Sequence, residues 1–514
     1  MTICLVGSEM CIRDSYILYI CSDMDIEKSS GLILHPTSLP SKYGIGDLGK
    51  ESYEFVEFLN DSKTKIWQVL PLGITDDIEY SPYSSKSSIL GNPYIISLDE
   101  IENQIYSKNE LEKIIIPNSN EVDYKKVYNN KDQIFKHISK RVNIDEKDYQ
   151  TYIKNEIKKK HITFLTLSEI FETSWNEWDY DYQNYSEELF DLVCDKYKDT
   201  FTKNLFLQFE FDKQWQKLKS YANRQNVRIL GDIPIYVNHN SADVWLNKDL
   251  FDLDEHNRMS FVSGAVPDDF TVEGQVWNTA LYKWDIHKEK GYKYWIEKLD
   301  YNLKNYDYLR IDHFVGFFQF WAIPENEPAL NGHWRTGPWK TFFDVVSKSI
   351  DFNKLLAEDL GVVLQETADV LNNFNIPGMK VLQQRVPNDS KHNEIHPKEW
   401  DFNIAAYTGT HDSPTIKQWL NEVDDIQIEF FNQYKESSSS LYESDVWNFI
   451  SLVWESPCQL AVTTIQDLLE LGKDARFNIP GTKEKNWVWR LENLDILKNI
   501  KKDLKKLNKY TDRA

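Results

Sequence analysis

The sequence predicts an α/β chain folded as a (β/α)8 TIM barrel, on three observations. Eight short apolar runs recur along its 514 residues. Most of them end in polar or ionisable residues, the way a ring of parallel strands presents one mouth lined with chemistry. The stretches between them carry helical periodicity, as strand–helix alternation requires. The insertions at the C-terminal face read as mostly helical, and no separate β domain follows the last helix.

Taken in order, residues 1–23 stand apart. They hold Cys4, Cys11 and Cys21, show no amphipathic period and lack a basic start, so they make a poor signal peptide. The string CLVGSEMCIRDS resembles translated sequencing-adapter sequence. Met24 is therefore read as the native start, and residues 24–514 as the barrel. Gly31–Pro36 (GLILHP) is the first strand, and residues 50–61 show the apolar face of a helix (Tyr53, Val56, Leu59). Thr64–Leu72 (TKIWQVLPL) is the second strand, apolar almost throughout, as burial on both faces demands. Between them, Gly44–Gly49 matches G-x-G-x-x-G. Seven residues separate Pro36 from Gly44, so a dinucleotide fingerprint is disfavoured and a mobile substrate loop expected.

From about residue 99 to 212 the composition turns to Lys, Glu, Asn and Tyr, which reads as a helical insertion with solvated charged faces. Asn226–Val237 is the third strand, with Asp232 at its polar end. A second insertion at about 238–290 interleaves aromatics with Asp and Gln, and reads as a substrate loop. The fourth strand opens the stretch Tyr306–Trp321, ends in Arg310, Asp312 and His313, and leads through Gly316 into a helix-like segment. Leu355–Gly361, Gly378–Gln383, Ile404–Asp412 and Leu460–Gln466 complete the eight.

Net charge is −22, so nucleic acid and anionic membrane are not expected partners; an uncharged ligand is. Aromatic content is 14%, with 17 Trp; most of these must be core, but flat apolar rings also stack on sugar faces. Only Cys194 and Cys458 lie in the body of the chain, which fits a reducing compartment and a cytoplasmic location. No run approaches the 18 apolar residues of a spanning helix. His392-x-Glu394-x-His396 lacks a third ligand and departs from H-E-x-x-H, so no metal is expected.

Three strand ends carry carboxylates: Asp312, Glu358 and Asp412. Alone, each reads as a rim salt bridge. Together they suit retaining glycosidic chemistry, which needs a nucleophile and an acid/base about 5–5.5 Å apart. Arg310 lies two residues from Asp312 on the same strand face and would hold it ionised. Two neighbouring carboxylates would push the Glu358 pKa upward, making it the acid. Asp412 is then free to hold sugar hydroxyls, with His313 and His411 as donors.

With these residues in hand, the chain resembles the 4-α-glucanotransferase (amylomaltase, disproportionating enzyme) family. The matching motifs run from SGLILHPTSLPSKYGIGDLG through WQVLPLG, SPYSSKSSILGNPYIISL, GDIPIYV, LRIDHFVGF, LAEDLG, PGMKVLQ and YTGTHD to ARFNIPGT and NWVWR. The resemblance implies a retaining barrel enzyme that cleaves an α-1,4-glucan, holds the glycosyl enzyme and passes it to a sugar acceptor. It implies Asp312 as nucleophile, Glu358 as acid/base and Asp412 as transition-state stabiliser. Arg310, His313 and His411 would be their partners, and Tyr83, Asp232, Asp268, Gln275, Trp277 and Asn478 substrate contacts. Partners would be maltooligosaccharides and α-1,4-glucans, with no metal or organic cofactor, and the protein a monomer or small homo-oligomer. The acceptor-side loop departs from the family pattern. Val266 stands for a proline, Asp269 for a tyrosine and Asn278-Thr279-Ala280 for G-N-P, while Val315 and Ser413 replace the usual Arg and Asn. Two alternatives use the same features: a retaining α-glucan hydrolase, and a non-catalytic glucan-binding protein.

Overall fold

The computed structural model describes residues 26–76, 78–101, 105–267, 271–361, 363–388, 396–439 and 442–514. The leader read at residues 1–23 lies outside them. Eight parallel strands form one sheet: β1 (Ser29–Ile33), β2 (Ile66–Gln68), β3 (Arg228–Pro234), β4 (Tyr308–Asp312), β5 (Leu355–Ala357), β6 (Gly378–Val381), β7 (Ile404–Tyr407) and β8 (Leu460–Thr464). β8 pairs back onto β1. The remaining seam, between β5 and β6, is bridged by Ala357 N–H donating to the Pro377 carbonyl at 2.9 Å, which closes the ring. Seven of the eight strands lie within the run that predicts them and are shorter; β1 begins two residues ahead of the predicted Gly31–Pro36 and stops at Ile33. Glu358 and Asp412 sit past the strand ends at the C-terminal mouth; Glu358 is still held to β4 by its N–H, which donates to the Ile311 carbonyl at 3.0 Å, and by its carbonyl, which accepts from Phe314 N–H at 2.9 Å.

The period of two along each strand sorts side chains between the barrel interior and the surrounding helices. Leu230, Tyr308, Leu356, Tyr407 and Val462 fill the interior, whereas Leu309, Ile311 and Ala357 face the outer helices. Following β4 upward, the inward face reads Tyr308, Arg310, Asp312: apolar body below, charge above. Helix Lys50–Ser62 forms where its apolar positions predict it. It buries Phe55, Val56, Phe58 and Leu59, and ends with Lys63 in the left-handed conformation.

Between β2 and β3 run six helices, from Lys108–Glu112 to the 27-residue Lys198–Arg224, which returns the chain to the barrel. The region read as a substrate loop holds more order than its sequence suggests. Val237–Asn238, Gln275–Ala280, Phe261–Ala265, Gln319–Pro324 and His333–Thr336 form a five-stranded antiparallel sheet, in that order, over one side of the mouth. The segment after Phe314 is therefore a strand rather than helix-like. Only Phe314–Phe317 makes a helical turn, because Phe320 and Ala322 alternate inward from Gln319 onward. The glycine-rich stretch Gly44–Gly49 is not a mobile loop either. Ile45 and Leu48 are buried, and a Cβ on Gly46 would lie 2.0 Å from the Pro36 carbonyl oxygen. Asp47 ties it down by accepting from Gly49 N–H and Ser41 Oγ, each at 2.8 Å. No described helix is long and apolar enough to cross a membrane.

Candidate active site

Register across β3, β4 and β5 assembles the centre of the mouth. Asp232 lies opposite Arg310, and Pro234 opposite Asp312. Arg310 is 3% exposed and bridges two carboxylates: Nη1 meets Asp232 Oδ2 at 2.6 Å, and Nη2 meets Asp312 Oδ1 at 2.7 Å. The Asp312 side chain reaches the cleft, and its Oδ2 takes no protein partner among the described residues. Asp232, expected as a substrate contact, is 1% exposed and lies one layer deeper. Its Oδ2 also accepts from the Tyr83 hydroxyl at 2.8 Å, so it braces Arg310 and Tyr83 rather than lining the cleft. Burial raises the Asp232 carboxyl to about 6, more than Arg310 pulls it down.

Glu358 follows β5 and crosses to the end of β4. Its Oε2 accepts the His313 N–H at 2.7 Å and its Oε1 the Leu360 N–H at 2.9 Å. Turning the His313 N–H toward it puts His313 in the left-handed region (φ 52°), a strain carried by a non-glycine residue at this corner. Burial first, and the Asp312 charge second, push Glu358 up to about 8; Arg310 and the two amides oppose this. The expected rise is present, but desolvation is its main cause rather than a pair of carboxylates. Burial also lowers His313 to about 4, leaving a neutral imidazole.

Asp412 behaves in the opposite sense. Burial would raise it, but the His411 charge, the hydrogen bond to His411 and that to Asn478 bring it down to about 2. His411 Nε2 lies 3.2 Å from Oδ2, and Asn478 Nδ2 donates to Oδ1 at 2.6 Å. Arg476 anchors the backbone by donating to the Asp412 carbonyl at 2.7 Å. Burial opposes a charge on His411, yet Asp412 outweighs it and raises the imidazole. Glu358 and Asp412, at one mouth, thus hold their protons with very different strength.

Aromatic walls flank them. The Tyr83 ring stacks on His411 with centroids 5.2 Å apart. On the other side Trp277 meets His313 edge-on at 4.8 Å and donates through Nε1 to Gln275 Oε1 at 3.0 Å. Both Gln275 and Trp277 ride on strand Gln275–Ala280, so the antiparallel sheet positions them. Asp268 and Asp269 lie outside the described residues, as do His392 and Glu394.

Three neighbours were not singled out from the sequence. Trp487, in NWVWR, is buried in the left-handed region (φ 65°) and lies 6.0 Å from both Tyr83 and His411. Tyr236, after β3, sits 6.2 Å from His313 with its hydroxyl buried and unpartnered. His35, past the end of β1, is lowered to about 3 by burial and then by the His411 charge. Position past a strand end could have flagged Tyr236 and His35. Nothing local flags Trp487, whose place depends on the chain folding back after β8.

A (β/α)8 barrel with three carboxyl groups at its mouth is an arrangement used for glycosidic bond chemistry. The 4-alpha-glucanotransferase family model matches residues 34–496. A 4-alpha-glucanotransferase of Clostridium butyricum is 36% identical over 470 residues, covering 89% of this chain and 95% of that protein. The chloroplastic/amyloplastic 4-alpha-glucanotransferase DPE1 of Arabidopsis thaliana is 34% identical, covering 94% of this chain and 85% of its own length. Among solved structures, the amylomaltase from Streptococcus agalactiae in complex with acarbose superposes with a TM-score of 0.89 at 31% identity, over 95% of this chain and all of that one. The chain belongs to the 4-alpha-glucanotransferase family, and it is an enzyme of that activity.

Proposed function

We propose that Asp312, Glu358 and Asp412 carry out transfer of an α-1,4-glucan segment by double displacement. The observation that carries this reading is their convergence at one mouth, with Asp312 ion-paired to Arg310, Glu358 raised to about 8 and Asp412 lowered to about 2. Asp312 is ion-paired to Arg310 through one oxygen, which leaves Oδ2 to attack the anomeric carbon. Glu358, raised to about 8, supplies the proton to the departing glycosidic oxygen. The leaving chain departs as an alcohol and Asp312 becomes a glycosyl ester. Glu358, now a carboxylate, takes the proton from the incoming 4-hydroxyl, and that oxygen displaces Asp312 with a second inversion. Asp412, held by His411 and Asn478, keeps lone pairs free for two ring hydroxyls, and a full negative charge beside the oxocarbenium-like transition state. Tyr83 and Trp277 give the sugars flat faces. We extend the reading to maltooligosaccharides as donor and acceptor, to the cytoplasm, and to a monomer or small homo-oligomer.

Incubation with maltotriose tests the reaction. Glucose plus a ladder of longer maltodextrins is expected; glucose and maltose with nothing longer would replace transfer with hydrolysis. Asp312→Asn tests the nucleophile: turnover should fall by ~10⁴-fold or more with the circular dichroism spectrum unchanged. Retained turnover moves the nucleophile elsewhere.

A further inference from the structure

A cavity of about 1000 Å³ opens between helix Glu156–Phe171 of the insertion and the flank of the barrel formed by residues 243–250 and 287–298. It is separate from the catalytic mouth. Its charge is unlike the rest of the molecule. Acidic residues outnumber Lys plus Arg 81 to 59 in the chain, yet five lysines and four acids line this cavity.

The four acids are already engaged. Asp249 pairs with Lys290, Glu297 with Lys293 at 3.7 Å, and Glu156 with Lys159 at 3.0 Å. Asp243 accepts from Ser88 N–H at 2.8 Å, from Ser88 Oγ and from the Tyr294 hydroxyl at 3.0 Å. Three of the five lysines are left without a carboxylate at ion-pair distance among the described residues. Lys160 lies over the Tyr185 ring at 5.4 Å and feels the more distant charge of Glu187. Lys248 donates to the Gln183 carbonyl and to Asn184 Oδ1. Lys298 is 2% exposed and donates to the Pro234 carbonyl at 3.0 Å. Lys298 is the buried one of the three; the Asp243 charge and the Trp295 ring, 4.6 Å from Nζ, offset its burial only in part, and a further anion would relieve it.

We propose that this cavity binds a phosphorylated sugar, with Lys160, Lys248 and Lys298 on the phosphate. A phosphate monoester matches three cations that lack a carboxylate at ion-pair distance among the described residues. The volume far exceeds one phosphate, and the rings of Tyr185 and Tyr294 with the Asn184 and Asn247 amides suit a sugar body. The site borders the machinery of the mouth. Ser88 belongs to the segment that carries Tyr83, and the Pro234 held by Lys298 stands in register with Asp312.

Isothermal titration of the full chain with glucose 1-phosphate, glucose and inorganic phosphate decides the matter, and does so whatever the transfer assay shows. Glucose 1-phosphate should bind at least ~10-fold more tightly than either other probe. The pair Lys160→Met and Lys248→Met, both at the cavity edge, should weaken it by ~10-fold or more while maltotriose turnover stays within about twofold. Glucose 1-phosphate binding no tighter than glucose, or indifferent to the two lysines, overturns the site. Inorganic phosphate binding equally well overturns the sugar part of the assignment.

Discussion

Glu358 sets one edge of the pH profile. It must carry a proton to release the leaving chain, and its pKa is raised to about 8 by burial and by the Asp312 charge. Below that value the acid form dominates. Above it the acid is lost, and kcat/KM should fall roughly tenfold per pH unit. Glu358→Gln removes the proton donor; its amide oxygen still accepts one of the two backbone N–H groups, while its NH2 faces the other. Turnover of maltotriose should drop by ~10²–10⁴-fold, and the basic limb near pH 8 should vanish from what remains. A basic limb that persists in the variant assigns the titration to another group. At this scale the sequence spoke clearly for Asp312, Glu358 and Asp412, because each follows an apolar run. It was less clear for Asp232. A carboxylate at a strand end reads as rim-facing, and only the register that sets Asp232 beside Arg310, with Pro234 beside Asp312, puts it a layer below the cleft.

Between elements, the antiparallel sheet decides where Gln275 and Trp277 stand. Gln275 and Trp277 lie on a strand that pairs with Phe261–Ala265, and Gly264 makes that pairing close. A Cβ there would come within 2.2 Å of the Gln275 carbonyl oxygen and 2.4 Å of Ile323. Gly264→Val must therefore part the two strands and shift Trp277 from His313. Overpacking of this kind costs ~1–3 kcal/mol, and kcat/KM for maltotriose should fall by at least ~10-fold. Gly472→Ala, where nothing lies within 4 Å of the added carbon, is the control and should leave both stability and rate unchanged. A Gly264→Val enzyme with wild-type kinetics would free Trp277 from any role in the reaction. The sheet was hidden in the sequence for a physical reason. Barrel strands are buried on both faces and read as continuous apolar runs, whereas Gln275–Ala280 exposes one face and carries Asn, Gln and Thr among its apolar residues. Its partners come from residues 237 to 336, so no local period announces them. The helical insertion was legible because its amphipathic repeats are local.

Across the whole molecule, the chain's far end fastens the barrel's first strand. Helix Leu497–Tyr510 packs on helix Lys50–Ser62, and Asn508 within it donates to the Ser62 carbonyl at 2.9 Å while accepting from Trp454 Nε1 at 2.7 Å. Just beyond, Arg513 is fully buried and has no carboxylate at ion-pair distance among the described residues. Its guanidinium instead gathers three carbonyls: Ser29 on β1 at 2.9 Å, with Trp454 and Ser456 ahead of β8 at 2.8 Å each. Burial lowers it to about 10, still well above neutrality, so it remains charged. β1 and β8 are neighbours in the ring, and Arg513 ties both from below, at the end opposite the three carboxyls. Arg513→Met keeps the stem but strands three buried acceptors, each worth ~1–3 kcal/mol when unpaired. The expected loss is on the order of 3 kcal/mol or more, read as a lower midpoint in thermal or urea unfolding. Because Arg513 lies far from Asp312, turnover per folded molecule at 25 °C should be unchanged. A midpoint equal to wild type would mean that water satisfies those carbonyls and that the ring is closed by its strands alone. A fall in turnover at unchanged stability would mean instead that strain at the base of β1 reaches the mouth.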